Sequence, residues 1–204
     1  ASSQTDLTNN LYLFTAEEGN FKKYVPPRGL SINSTILDLL EKKQIPWKIY
    51  VENYDTALNY TNNNASSKRY LVSNPILGIP RFVDNTTLNS KIQDLTNYFH
   101  DLKNNLPNVS YIILPNSQES SPKDILKGQE SVVALIISLM KSKYWENSLF
   151  ILTYGSSGGW YDHVPPPQNS EYERGFRVPT LFISPYSYEG KVDSTFYDTF
   201  SILK

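Results

Sequence analysis

Residues 109–114 read VSYIIL, residues 125–143 read ILKGQESVVALIISLMKSK, and residues 149–154 read LFILTY. The two outer runs are almost continuously apolar, as strands covered on both faces of a parallel sheet are, and the run between them repeats its apolar residues at helical spacing. Strand, helix, strand in that order is the signature of an α/β fold. Working outward, strands are predicted over 11–15, 47–52 and 180–184 (TLFIS) as well. A helix is predicted over 36–43, with Ile36, Leu37, Leu39 and Leu40 on one side, Asn33, Ser34 or Thr35 as cap, and Pro46 beyond its end. Another is predicted over 88–102, where Leu88, Ile92, Leu95, Phe99 and Leu102 fall at offsets 0, 4, 7, 11 and 14. The helix over 125–143 has Ser121 or Asp124 near its start, and residues 53–70 read as an irregular excursion. Right-handed crossovers would assemble these into a three-layer sandwich around a mostly parallel sheet, with functional loops after the carboxyl ends of the strands.

The 204 residues suffice for one core, so a single domain over 1–204 is expected. A net charge of −1 leaves no electrostatic footprint for nucleic acid or an anionic membrane, and no apolar run approaches the roughly 20 residues of a transmembrane helix. The chain has no cysteine, which excludes disulfides, thiolate metal sites and a cysteine nucleophile. Plentiful Asn, Ser and Thr lean toward an extracellular or cell-surface setting, and Ala1-Ser2-Ser3-Gln4 would suit a mature end after signal-peptide removal. Five N-x-S/T sequons, at Asn33, Asn59, Asn64, Asn85 and Asn108, are candidate N-glycan acceptors. They are only a mild excess over the roughly three that chance provides, so unmodified surface asparagines are the competing reading. Asn59 and Asn64 lie in the polar tract YTNNNASSK, where a glycan would be tolerated, whereas Asn108 directly precedes a strand.

Four segments carry a family resemblance. They are LTYGSSGGWYDHVPPP at 152–167, LPNVSYIILPNSQESSP at 106–122, DILKGQESVVALIISLMKSKYW at 124–145, and GFRVPTLFISPYSYEGKVDSTFYDTFSILK at 175–204. Together they resemble the phosphoesterase family of bacterial phospholipases C and acid phosphatases, which implies a fold akin to alkaline phosphatase. The WYDHVPPP and STFYD segments look most like archaeal members. The family reads LTYDEHGGWYDHVPPP in the first segment, so Gly155, Ser156 and Ser157 stand where it has Asp, Glu and His. In the second segment Glu119 matches a family Glu while Ser120 replaces a His; in the fourth, Asp198 is retained and Thr199 replaces a His. Glycine has no side chain and a neutral hydroxyl is a poor ligand, so the resemblance implies a scaffold kept and a metal site lost. Family members also begin with an ENRSFDHYFG-like segment and a Ser or Thr nucleophile. The opening LTNNLYLFTAEEGN resembles the family region beyond that nucleophile, so the chain is expected to lack the N-terminal part of the family domain.

The residues left with chemistry are Glu119, Asp162, His163 and Asp198, which could gather around calcium or magnesium weakly; no resident cofactor is expected. Asp162 and His163 have a second reading, as residues that shape the loop after Gly158-Gly159 by hydrogen bonds to backbone. The G-S-S-G-G stretch is superficially like G-x-S-x-G, but His163 lies only six residues past Ser157, too local for a catalytic triad. Three functions are thereby open. The first is a non-catalytic, extracellular, self-assembling structural module, homo-oligomeric or filamentous, making contacts through residues 7–14 or the aromatic C-terminal region (Trp160, Tyr161, Tyr186, Tyr188, Phe196, Tyr197, Phe200). The second is an active metal-dependent hydrolase completed by an N-terminal half. The third is a glycan- or headgroup-binding module that uses the old cleft.

Overall fold

The computed structural model describes residues 6–15, 25–62, 64–117, 124–167 and 175–203. Its centre is the strand β1 (Trp47–Val51), whose sequence WKIYV alternates between two buried faces. Trp47, Ile49 and Val51 point into a core with Phe14, Leu37, Leu40, Ile76, Leu77, Ile79 and Phe82, and Tyr50 points the other way, onto Tyr98, Leu102, Leu135 and Leu139. Side chains of a strand alternate sides, so five residues are enough to serve both cores. β1 is flanked by two parallel partners, β2 (Ile92–Asp94) and β3 (Val109–Ile113), with Ile49 opposite both Ile92 and Tyr111.

The helices form the outer layers. The first core is covered by α1 (Asp6–Thr15), α2 (Ile36–Lys42), α3 (Ala65–Ser73), a 3-10 turn at Pro75–Gly78, and α4 (Pro80–Val83); α5 (Thr86–Asn89) follows at its edge. On the opposite face, α6 (Thr96–Asp101) and α7 (Ile125–Met140) supply Tyr98, Leu135 and Leu139. This is the three-layer α/β arrangement anticipated from the strand–helix alternation. Of the three cap candidates for α2, Thr35 is the one used: its hydroxyl accepts from the Asp38 amide while the Asp38 carboxylate accepts from the Thr35 amide, a reciprocal capping box. Arg81 then grips the same carboxylate, at 2.6 and 3.1 Å, and ties α2 to α4. Gly29 makes the close packing before α2 possible, since it sits at φ +77° and a Cβ there would lie 2.6 Å from the Pro80 ring.

Three expectations are corrected. Residues 11–15 are not a strand but the end of α1, because Leu7, Leu11 and Phe14 recur at helical spacing and are all buried. Residues 88–102 are not one helix. The helical stripe is interrupted by β2, where Ile92 gains a place in the core by pairing with β1, and Asp94 ends the strand by accepting from the Thr96 and Tyr54 amides. Finally, β4 (Phe150–Thr153) and β5 (Thr180–Ile183) are not members of the parallel sheet. They form a separate antiparallel ribbon, with Phe150 opposite Ile183 and Thr153 opposite Thr180. A parallel return needs a long crossover, usually helical, and the described part of the link between them contains no helix.

The ribbon is also not covered on both faces, for Leu181 and Phe182 are each more than half exposed, at 52% and 53%. α7 has Asp124 as its cap and, beside the stripe it buries, a second apolar stripe of Leu126, Val133, Ile137 and Met140 facing outward. None of the described residues after Leu139 is buried.

A polar lock holds the second core to the sheet. Asp101, at the end of α6 and almost fully buried, accepts from the Tyr50 hydroxyl at 2.6 Å and from the Lys48 ammonium at 2.5 Å. Burial pushes its acidity one way and these donors push it further the other, so its carboxyl stays below the usual carboxylate range. A depressed folded value means stability that is present above the unfolded pKa of about 4 and is lost as pH falls through the lower folded value. Asp101→Ala strands a buried hydroxyl and an ammonium, and the expected loss is about 3 kcal/mol or more by denaturant unfolding at pH 7. Asp101→Asn is expected to show a flatter dependence of stability on pH between about 4 and 2 than the native chain, measured by the same titration.

Candidate functional site

The ends of β3 and β4 open into a cleft of about 1130 Å³, walled by α1, residues 72–73, the loop after β4 and residues 177–179 before β5. This is where an α/β sheet carries its loops for chemistry. α1 reaches it with Asp6, Asn10, Leu13 and Phe14, β3 and its continuation with Tyr111 to Leu114 and Ser117, and β4 with Leu152 to Asp162.

The loop after β4 is shaped by its own sequence. Gly158 and Gly159 both have left-handed backbones, at φ +63° and +82°, a succession that side chains with a Cβ would strain. The Trp160 amide closes the turn onto the Ser157 carbonyl at 3.1 Å. Asp162 then fixes the exit: its Oδ1 accepts from the Val164 amide at 3.0 Å, and Arg177 holds both its oxygens in a fork, Nη2 to Oδ1 at 2.8 Å and Nε to Oδ2 at 2.9 Å. The hydrogen bonds from Arg177 first, and that from Val164 second, keep the Asp162 carboxyl well below the usual carboxylate range. His163 turns outward, largely exposed, with Nδ1 3.9 Å from Asp162 Oδ1.

The other sequence-derived positions do not converge there. Asp198 caps the 3-10 turn Thr199–Ile202, accepting from the Ser201 amide at 3.1 Å, and this turn is seated on α1 through the mutually tilted rings of Phe200 and Tyr12, 4.5 Å apart. Asp198, Thr199 and His163 therefore lie off the cleft wall that holds Gly155, Ser156, Ser157 and Asp162. Glu119 and Ser120 lie outside the described residues. Their neighbour Ser117 lines the cleft, and Glu52, at the end of β1, holds it by accepting from the Asn116 and Ser117 amides at 2.8 and 2.9 Å and from the Ser117 hydroxyl. Glu52 was not singled out from sequence; a carboxylate just past a central strand was the signal that could have found it. Of the sequons, Asn33, Asn64, Asn85 and Asn108 are exposed and Asn59 is half-buried. Asn64 and Asn85 cap α3 and α5 with their side-chain oxygens.

Gly155 is the most informative position. A Cβ built there would lie 2.4 Å from Asn10 Oδ1, and Asn10 is tethered by its Nδ2 to the Val72 carbonyl at 2.9 Å. The space a side chain at 155 would enter is thus filled by a neutral amide from α1. Among the described residues no three His, Cys, Asp or Glu side chains gather where a metal ion could sit. With Asp162 already gripped by Arg177, the described residues do not fit a divalent metal in this cleft.

The family model of the phosphoesterase family matches residues 2–204. The chain belongs to the phosphoesterase family. It is similar to non-specific phospholipase C5 of Arabidopsis thaliana, 31% identical over 78% of this chain and 32% of that protein. Non-specific phospholipase C6 of the same plant is 29% identical over 91% of this chain and 37% of that protein, and phospholipase C B of Mycobacterium tuberculosis is 28% identical over 72% and 33%. The chain spans about a third of the length of these curated relatives. In this family member, the Asp162–Arg177 fork joins the loop after β4 to the start of β5. Replacing Arg177 with Met is expected to raise the Asp162 carboxyl toward the ordinary carboxylate range, seen as an upward move of its titration midpoint by carbon NMR, with little change in unfolding midpoint because the pair is near the surface.

Proposed function

We propose that this chain is a non-catalytic phosphoesterase-family module whose cleft binds without hydrolysing. The observation that carries the reading is Asn10 Oδ1 at the place a side chain on Gly155 would need. Phosphoryl transfer demands a nucleophile and positive charge aimed at the developing oxyanions, a contribution of many kcal/mol. Among the described residues lining the cleft, the one cation, Arg177, commits its fork to Asp162. The relatives' names as phospholipases C give the competing reading, an active ester hydrolase. The purified chain is expected to leave chromogenic phosphate mono- and diesters at background across pH, with calcium, magnesium, manganese or zinc added. Turnover that vanished in Asp162→Ala or Asp198→Ala would reverse the reading.

A second reading, self-assembly, is favoured by the uncovered apolar surface on the C-terminal side. Leu126, Val133, Ile137 and Met140 face outward from α7, and Tyr186, Tyr188, Phe196 and Tyr197 are mostly exposed. Apolar side chains left open in this way mark contact with another chain, and the occupant proposed is a second copy. The segment over 7–14 is withdrawn as a contact, since Leu7, Leu11, Tyr12 and Phe14 are buried in the fold. An extracellular setting with glycans on Asn59 or Asn64 belongs to the same proposal; Asn64 is exposed and caps α3 through its side-chain oxygen, which leaves its nitrogen as the point of attachment. Light scattering on sized material is expected to give a mass above that of one chain, falling to the monomer in Val133→Glu/Ile137→Glu. A monomer at all concentrations would end this reading.

A further inference from the structure

We infer that the cleft takes a neutral, polyhydroxylated ring, a sugar, as its ligand; this rests on the non-hydrolytic reading above. The first ground is charge. Asp6, Asp162 and Arg177 are the charged side chains among the described lining residues, and the last two neutralise each other through two hydrogen bonds under 3 Å. An anionic headgroup would have to displace a carboxylate from its guanidinium and meet Asp6 besides, whereas a neutral ligand incurs neither penalty.

The second ground is the distribution of uncharged polar groups. Asn10, Ser73, Ser117, Thr153, Ser156 and Ser157 all line the cleft. Hydroxyls both donate and accept, as a sugar's own do, which suits Ser73, Ser156 and Ser157; the Ser117 hydroxyl is instead given to Glu52 and that of Thr153 pairs with Thr180. Asn10 is held with its nitrogen on the Val72 carbonyl, which leaves its oxygen directed toward the space beside Gly155 as a fixed acceptor. The third ground is the aromatic rim. Trp160 and Tyr161 line the cleft and are exposed, Tyr161 at 91%, and the half-buried Tyr111 also lines it, its ring tilted against the buried Phe14 at 4.5 Å. The C–H face of a sugar ring packs on such surfaces while its edge hydrogen-bonds, which suits side chains with an apolar body and a polar tip. The volume, about 1130 Å³, sits just above the range of roughly 300–1,000 Å³ usual for small-ligand sites, room for more than one ring.

The test is ligand-observed saturation-transfer NMR on the whole chain, with methyl α-glucoside, methyl α-mannoside, methyl β-galactoside and maltotriose as neutral probes, and inorganic phosphate and glycerol 3-phosphate as anionic ones. At least one neutral probe is expected to receive saturation on its ring protons, undiminished by phosphate. The signal is expected to weaken about five- to tenfold in Tyr161→Ala, whose exposed ring can be removed without touching the core, and in Ser156→Ala/Ser157→Ala. Saturation of no neutral probe would overturn the inference, as would binding unchanged by both variants. Binding of the phosphates alone, without ester turnover, would also overturn it while leaving the non-hydrolytic reading standing; turnover of glycerol 3-phosphate would bring down both.

Discussion

Everything in this fold is referred to one strand buried on both sides. β1 has no exposed residue: Trp47, Ile49, Tyr50 and Val51 are all within 1% of complete burial, and Lys48 reaches out only to meet Asp101. A strand in that position must find partners on both edges, since each unpaired backbone group buried away from water costs about 1–3 kcal/mol. That requirement explains why Ile92–Asp94 abandons a helical pattern to become β2. It also explains why the end of β1 supplies the anchor of the cleft, where Glu52, one residue on, collects the amides of residues 116 and 117 and holds the exit of β3 in place.

The parts legible in the sequence are those where local pattern and tertiary demand agree. β1, β3, α2 and α7 were readable because continuous apolar runs and capped helical stripes have one low-energy outcome each. Residues 11–15 and 88–102 misled for opposite reasons. LYLFT is short enough to fit either period, and only the burial of Leu7 with Leu11 and Phe14 decides for the helix. The stripe at 88–102 is a good helix in isolation, overridden by the open edge of β1. In the site, the residue types at 155–157 were legible as departures from a motif and those at 162–163 as matches to it. The neighbour of Gly155 was not, because Asn10 lies 145 positions away in sequence and nothing local marks it.

Asn10 changes what the absence of a side chain at 155 means. A bare glycine would leave a void or a water, open to refilling by a single substitution. Here the amide is fastened to the Val72 carbonyl and fits against the glycine backbone, so an acidic residue at 155 would meet a tethered neighbour rather than free space. The two positions are in contact: a side chain at 155 would require the Asn10 amide to swing off the Val72 carbonyl. Together with the Asp162–Arg177 fork, this gives the described part of the cleft strong internal pairing and little net charge.

Burial is unevenly shared along the chain, and the imbalance has a physical consequence. The fully buried residues of both cores come almost entirely from before 103, with Leu135 and Leu139 the later ones, while β3 and the residues beyond it contribute partly buried side chains. The β4–β5 ribbon and everything described after it bury nothing fully, yet they contain Phe150, Leu181, Phe182, Tyr186 and Phe196. Two strands alone are marginal in water, so a ribbon with its apolar face open takes its order from what it touches. Among the described residues, these contacts include Phe150 against the second core and the Ser184 hydroxyl on the Ser148 carbonyl at 2.8 Å. These contacts are few beside those of β1, which places the ribbon at the low-stability end of the fold. Because the ribbon and the loop after β4 also frame the cleft, any surface that covers Leu181 and Phe182 would stiffen the cleft as well. Assembly and ligand binding would then draw on the same ordering cost, and each would favour the other.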